Sequence, residues 1–141
     1  MSKESILTKH TGGMSFETQF GNHKLIIDAD PEFGGENKGP KPKPLVLNAL
    51  TGCTGMDVVS LLTKMRVEFK DLEINVDAEM TEEHPKYYNK IHLIYAIKAK
   101  EADRAKVEKA VNYSQERYCG VSFMLSKSAE LTYEIDMKPL D

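Results

Sequence analysis

The stretch Pro44-Leu45-Val46-Leu47-Asn48-Ala49-Leu50-Thr51-Gly52-Cys53-Thr54-Gly55-Met56-Asp57-Val58-Val59-Ser60-Leu61-Leu62-Thr63-Lys64-Met65 decides how the 141-residue chain must be organised. A proline suits the first residue of a helix, where its missing N–H is not needed. Apolar residues then fall on more than one face, the pattern of a central helix covered on most sides. Polar Lys64, Arg66, Glu68 and Lys70 mark its return to water, so the helix is expected from Pro44 to about Phe69. Asn48, Gly52, Asp57 and Ser60 interrupt the run and make it a poor membrane span. Gly52 and Gly55 would each cost about 1 kcal/mol relative to alanine inside a helix, which suggests that something approaches the backbone closely there.

Upstream, Met14, Phe16, Thr18 and Phe20 alternate with polar residues, and after Gly21-Asn22 the alternation resumes at His23, Leu25 and Ile27. This reads as a β-hairpin on a two-residue turn, with a third strand near Ile6. From Asp30 to Pro44 the prolines and glycines forbid a regular ladder or helix, so a loop is expected, either a wall or lid for a site or a plain surface excursion. Downstream, Leu72, Ile74, Val76 and Ala78, then Ile91, Leu93, Tyr95 and Ile97, read as two half-buried strands paired as a hairpin. A second helix is expected from about Asp103 to Tyr118, with Val107, Val111, Ser114 and Tyr118 on one stripe. Ala129, Leu131, Tyr133 and Ile135 supply a last strand. The order predicts an α+β fold, with mainly antiparallel sheets packed on a long central helix and a second helix, in one domain spanning residues 1–141.

Composition narrows the function. With 40% hydrophobic and 29% charged residues the chain is an ordinary globular sequence. A net charge of −3, with lysines dispersed among acids, argues against nucleic acid as a partner. The first eight residues lack the apolar run of a signal peptide or anchor, so a cytoplasmic protein is expected.

Cys53 and Cys119 are the two cysteines. In the cytosol a permanent disulfide is disfavoured, which leaves two core thiols or a redox pair. The four histidines, His10, His23, His84 and His92, lack metal-ligand spacing, and neither a metal nor a cofactor is expected. Asp57, one turn beyond Cys53, would raise rather than lower a nearby thiol pKa and reads as a surface or capping carboxylate.

Two motifs, Ala49-Leu50-Thr51-Gly52-Cys53-Thr54-Gly55-Met56-Asp57-Val58-Val59 and Tyr118-Cys119-Gly120-Val121 with Leu125, together resemble those of the OsmC/Ohr family, and the order of elements matches along nearly the whole chain. The resemblance implies an intertwined homodimer whose cysteine pairs reduce organic hydroperoxides or hydrogen peroxide. By that analogy Cys53 would attack the peroxide and become a sulfenic acid, Cys119 would condense with it to a disulfide, and an external dithiol would reduce the disulfide. The peroxidases of that family also hold an arginine and a glutamate beside the reactive cysteine. This chain has no arginine before Arg66 and carries Lys43 or Pro44 where the glutamate would stand. Arg66, thirteen residues past Cys53, would lie about 20 Å along the helix, leaving Arg117 or Lys43 as replacements in a folded dimer. The pattern is similar to the OsmC-like branch. The alternative is a non-catalytic protein on the same dimeric scaffold, binding a small hydrophobic ligand beside inert thiols.

Overall fold

A computed structural model describes residues 2–141 of the chain. By its internal contacts the chain divides into two compact units, residues 1–48 and 49–141.

The first unit carries three antiparallel strands in the order β1-β2-β3: β1 (Leu7–Gly12), β2 (Ser15–Phe20) and β3 (His23–Ile27). Phe20 pairs with His23 across the expected two-residue turn, where Gly21 takes a φ of +60°. The third strand lies just past Ile6, as expected. The loop that follows is tied to one buried carboxylate, which sequence reading had passed over. Asp28 accepts the backbone N–H groups of Ala29, Glu36 and Lys38 at 2.7, 3.3 and 3.2 Å. These bonds, that of Ala29 foremost, hold the Asp28 carboxyl below its ordinary pKa. Pro31–Phe33 form a single 3-10 turn. Gly35 and Gly39 have no room for a side chain, since a Cβ at either would lie about 2 Å from the carbonyl oxygen of Ala29 or Ile26.

Helix α1 runs Pro42–Lys64, starting two residues before Pro44 and stopping well short of Phe69. Both prolines fall in the first turn, whose N–H groups have no partner within the helix. The early stop has a local cause. Arg66 adopts φ +56°, its N–H bonds the Thr63 carbonyl at 3.1 Å, and the Val67 N–H reaches back to Leu62 at 3.0 Å. That is a Schellman cap with arginine in the position glycine usually takes. Phe69 therefore begins a strand.

The second unit is built on a sheet of order β4-β5-β6: β4 (Phe69–Met80), β5 (Tyr88–Ala99) and β6 (Glu130–Lys138). The hairpin of β4 and β5 is antiparallel, while β6 runs parallel to β5 in the register Lys90↔Glu130 to Lys98↔Lys138. A parallel pair needs a crossover. It is supplied by α2 (Arg104–Tyr113), a π-helical turn at Ser114–Tyr118, and α3 (Gly120–Leu125). The crossover stays helical to Tyr118, where the second helix is expected to end, with its last turn widened to π geometry, and the chain breaks at Cys119, whose ψ of 100° is extended. Tyr118, placed on the buried stripe by its spacing, is exposed, and Ala110 joins Val107, Val111 and Ser114 in the core instead.

The core forms where β5 meets the two longer helices. Ile91, Leu93, Tyr95, Ile97 and Ala99 present one buried face of β5. Leu50, Thr54, Val58 and Leu62 do the same from α1 at four-residue spacing. Gly55 allows the helix to approach β4, since a Cβ there would stand 3.1 Å from Ile74 Cδ1, whereas Gly52 faces open space. By length and composition α1 could cross a membrane, with a window of mean hydropathy 1.5, yet its buried stripe meets the chain's own sheet and the π turn, Thr54 standing 2.7 Å from both Tyr95 and Ser114. Within one chain that stripe alone is fully buried and part of the helix is open: Met56 is 77% exposed and Val59 lies open as well. This departs from the expectation of a helix enclosed on most sides.

Candidate functional site

Cys53 sits in the middle of α1, half-buried, and Cys119 is the buried N-cap residue of α3. The two sulfurs and a carboxylate oxygen of Asp57 all lie within 4.8 Å of one another. Folding therefore brings together the two cysteines singled out from sequence, and adds a third acid, Asp57, that had been read as a surface or capping group. Each sulfur also receives a backbone N–H from α3. That of Val121 points at Cys53, and that of Ser122 lies 3.3 Å from the Cys119 sulfur.

The electrostatics do not favour a standing thiolate at Cys53. Burial pushes its thiol up, the hydrogen bond with Cys119 adds to the effect, and the charges of Cys119 and Asp57 push the same way. The Val121 N–H opposes them. Arg117 stacks its guanidinium 4.9 Å over the Tyr113 ring.

Beneath the thiols lies a buried polar chain. Thr54 Oγ1 is 2.7 Å from both Tyr95 OH and Ser114 Oγ. Ser114 Oγ donates to Asp57 Oδ2 at 2.9 Å, and Gln115 Nε2 donates to Tyr95 OH at 2.6 Å. Thr54, Tyr95 and Ser114 are wholly buried, so no water competes for these groups. Tyr95 and Ser114 come from β5 and from the start of the π turn, more than forty residues from Thr54 or Asp57 in the case of every bond to α1 at 2.9 Å or less. No local sequence signal marks such a set.

A groove of about 480 Å³ borders Cys119, lined by Gln115, Arg117, Tyr118, Phe123 and Tyr133 among others. Ser122, 3% exposed, also lines it, and its hydroxyl has no hydrogen-bond partner. As a donor set, two sulfurs and a carboxylate oxygen would suit a soft divalent cation. No histidine belongs to this cluster.

Comparison with known proteins identifies the family and the fold. Residues 35–134 match the family described as OsmC-like protein. The protein YhfA of Escherichia coli K12 is 33% identical over 115 residues, covering 82% of this chain and 83% of its own. A crystal structure of a hypothetical protein from Aquifex aeolicus superposes with a TM-score of 0.82 at 28% identity, over 98% of this chain and 99% of that one. The organic hydroperoxide resistance protein OsmC of Legionella pneumophila shares the fold at a TM-score of 0.67 and 16% identity, over 96% of this chain and 99% of its own. With its two sheets, its cysteine-bearing helix and the second cysteine at a helix cap, the chain belongs to the OsmC-like protein family.

Proposed function

We propose that the protein is a cysteine-based hydroperoxide reductase, with residues 1–141 acting as one domain in a cytoplasmic homodimer. One observation carries the proposal: the sulfurs of Cys53 and Cys119 lie within 4.8 Å of each other. A disulfide needs them at about 2.05 Å, so a modest movement of the α3 cap closes the pair. Both are free thiols. The half-buried Cys53 is the attacking sulfur. The buried Cys119 resolves the sulfenic acid, and an external dithiol returns the pair to its reduced form. Support for the substrate class comes from the relative named for organic hydroperoxide resistance. Met56 and Val59 on α1, with Phe123 and Met124 on α3, leave apolar surface that a second copy would cover.

The test is hydroperoxide consumption with a dithiol reductant. Cys53→Ser should be inactive. Cys119→Ser should support one round of oxidation and stop at the sulfenic or sulfinic acid, read by mass spectrometry. Full activity in Cys53→Ser would end this reading, and sedimentation as a stable monomer at micromolar concentration would end the dimer. A second reading, binding of a small hydrophobic molecule by inert thiols, is favoured by the upward shift of Cys53 and by the Tyr118, Phe123 and Tyr133 walls of the groove. A wild-type protein that consumes no hydroperoxide would bring it forward.

A further inference from the structure

We infer that Asp57 is the proton-transfer group of the thiol pair, held in place by a one-way chain of buried hydrogen bonds. The inference rests on the peroxidase reading and assigns the acid–base chemistry that the chain otherwise lacks.

The direction of the chain follows from counting protons. Ser114 has one hydroxyl hydrogen and donates it to Asp57, so in its contact with Thr54 it must accept. Thr54 then has no hydrogen left for Tyr95 and accepts from the phenol. Tyr95 in turn accepts from the Gln115 amide. The order Gln115→Tyr95→Thr54→Ser114→Asp57 satisfies each hydroxyl in the chain and ends on a carboxylate. Such a chain fixes the carboxylate's orientation beside the sulfurs, and a carboxylate that accepts one hydrogen bond keeps further lone pairs with which to take and return a proton. Among the described histidines, cysteines and acids, Cys53 on the same helix and Cys119 from the cap of α3 gather about that carboxylate; Tyr95 of β5 joins it through the chain.

The steps balance around one carboxylate. Asp57 takes the thiol proton of Cys53 as the sulfur attacks the distal peroxide oxygen. The O–O bond breaks, its electron pair leaves on the proximal oxygen, and Asp57 returns the proton there, releasing an alcohol. Cys53 has been oxidised to the sulfenic acid and the peroxide reduced. In the second step Asp57 takes the Cys119 proton while that sulfur attacks Cys53. The S–O bond breaks, and the departing hydroxide leaves as water with the returned proton. A thiol that is not standing as a thiolate needs this arrangement, because a general base removes its proton only as the attack proceeds.

Asp57→Asn keeps the shape and the acceptor for Ser114 but cannot carry a proton. In a Cys119→Ser background, two rates are measured on Cys53: oxidation by a single equivalent of cumene hydroperoxide, and alkylation by iodoacetamide at neutral pH. Alkylation needs only the thiolate and no proton for a leaving oxygen. Oxidation should fall by about 10²-fold, while alkylation should hold or rise, because a negative charge beside the sulfur has been removed. Asp57→Glu should recover part of the oxidation rate. Oxidation within threefold of the parent, or a parallel fall in both rates, would overturn the role of Asp57 while leaving the peroxidase reading intact. A parent that no hydroperoxide oxidises would overturn both.

Discussion

Thr54→Val tests whether the buried chain beneath the thiols is worth what its geometry says. Valine matches threonine in shape, so the change exchanges a hydroxyl for a methyl in a wholly buried site. Two contacts of 2.7 Å are lost. Tyr95 keeps a hydroxyl hydrogen that no water can reach, and Ser114 loses its donor. A hydrogen bond is worth about 1 kcal/mol net, and a stranded buried donor costs about 1–3 kcal/mol; with a small return for the added methyl, the loss should be about 2–3 kcal/mol. Tyr95→Phe removes the acceptor of the part-buried Gln115 amide but strands no wholly buried donor, and should cost about 1–2 kcal/mol. The double variant should be less damaging than the sum by about 1–2 kcal/mol, because the phenol that valine strands is already gone. Urea unfolding followed by far-ultraviolet circular dichroism at one fixed protein concentration reads all three. A Thr54→Val protein within about 0.5 kcal/mol of wild type, or strict additivity in the cycle, would refute the chain as a cooperative unit.

Other outcomes follow from single sites. Leu62→Ala, at a fully buried position of α1, should destabilise the protein by about 2–5 kcal/mol in the same unfolding assay. Burial first, then Cys119 and Asp57, keeps the Cys53 thiol protonated, so iodoacetamide should label it more slowly at neutral pH than a free thiol, with the rate climbing above the ordinary thiol range. The linked stability change has a definite sign. The unfolded chain ionises first as pH rises, so this group's contribution weakens through the alkaline range. For Asp28 the direction is opposite, because its carboxyl is held low by the Ala29, Lys38 and Glu36 amides. Its contribution is complete above the ordinary aspartate pKa and fades as pH falls through the lowered one. Protection of those three amides against hydrogen exchange, relative to the intrinsic rate at each pH, should fall in acid, and Asp28→Asn should remove that dependence.

Much of the fold was legible because alternation and helical spacing are local. The strands at Leu72–Ala78 and Ile91–Ile97 and the hairpin at Gly21-Asn22 could be read residue by residue. The parallel seat of β6 could not, since its alternation is the same whichever edge or direction it joins. Nor could the end of α1 at Arg66, where an arginine occupies a left-handed position that sequence preference reserves for glycine. At the site, Cys53 and Cys119 stood out by residue type and motif. Asp57 looked like a solvent-facing carboxylate because its partner Ser114 arrives from fifty-seven residues away. Asp28 was likewise hidden, its ligands being backbone amides with no side-chain signature.

The π turn at Ser114–Tyr118 is the spacer that joins the two halves of the thiol pair. Ser114 faces both ways: its hydroxyl holds Asp57, and its carbonyl receives the Cys119 N–H at 2.8 Å. A π turn holds one residue more than an α-helical turn closed by the same ends. Removing Glu116 would let Ser114 and Cys119 close an ordinary α-helical turn between the same two ends, so the backbone beyond it would keep nearly its place. What the extra residue adds is a side-chain position inside the turn, from which Gln115 reaches Tyr95. The wider turn therefore trades regular backbone geometry for that contact, and a one-residue deletion would separate the stability of the crossover from the buried chain while the two sulfurs stay opposed.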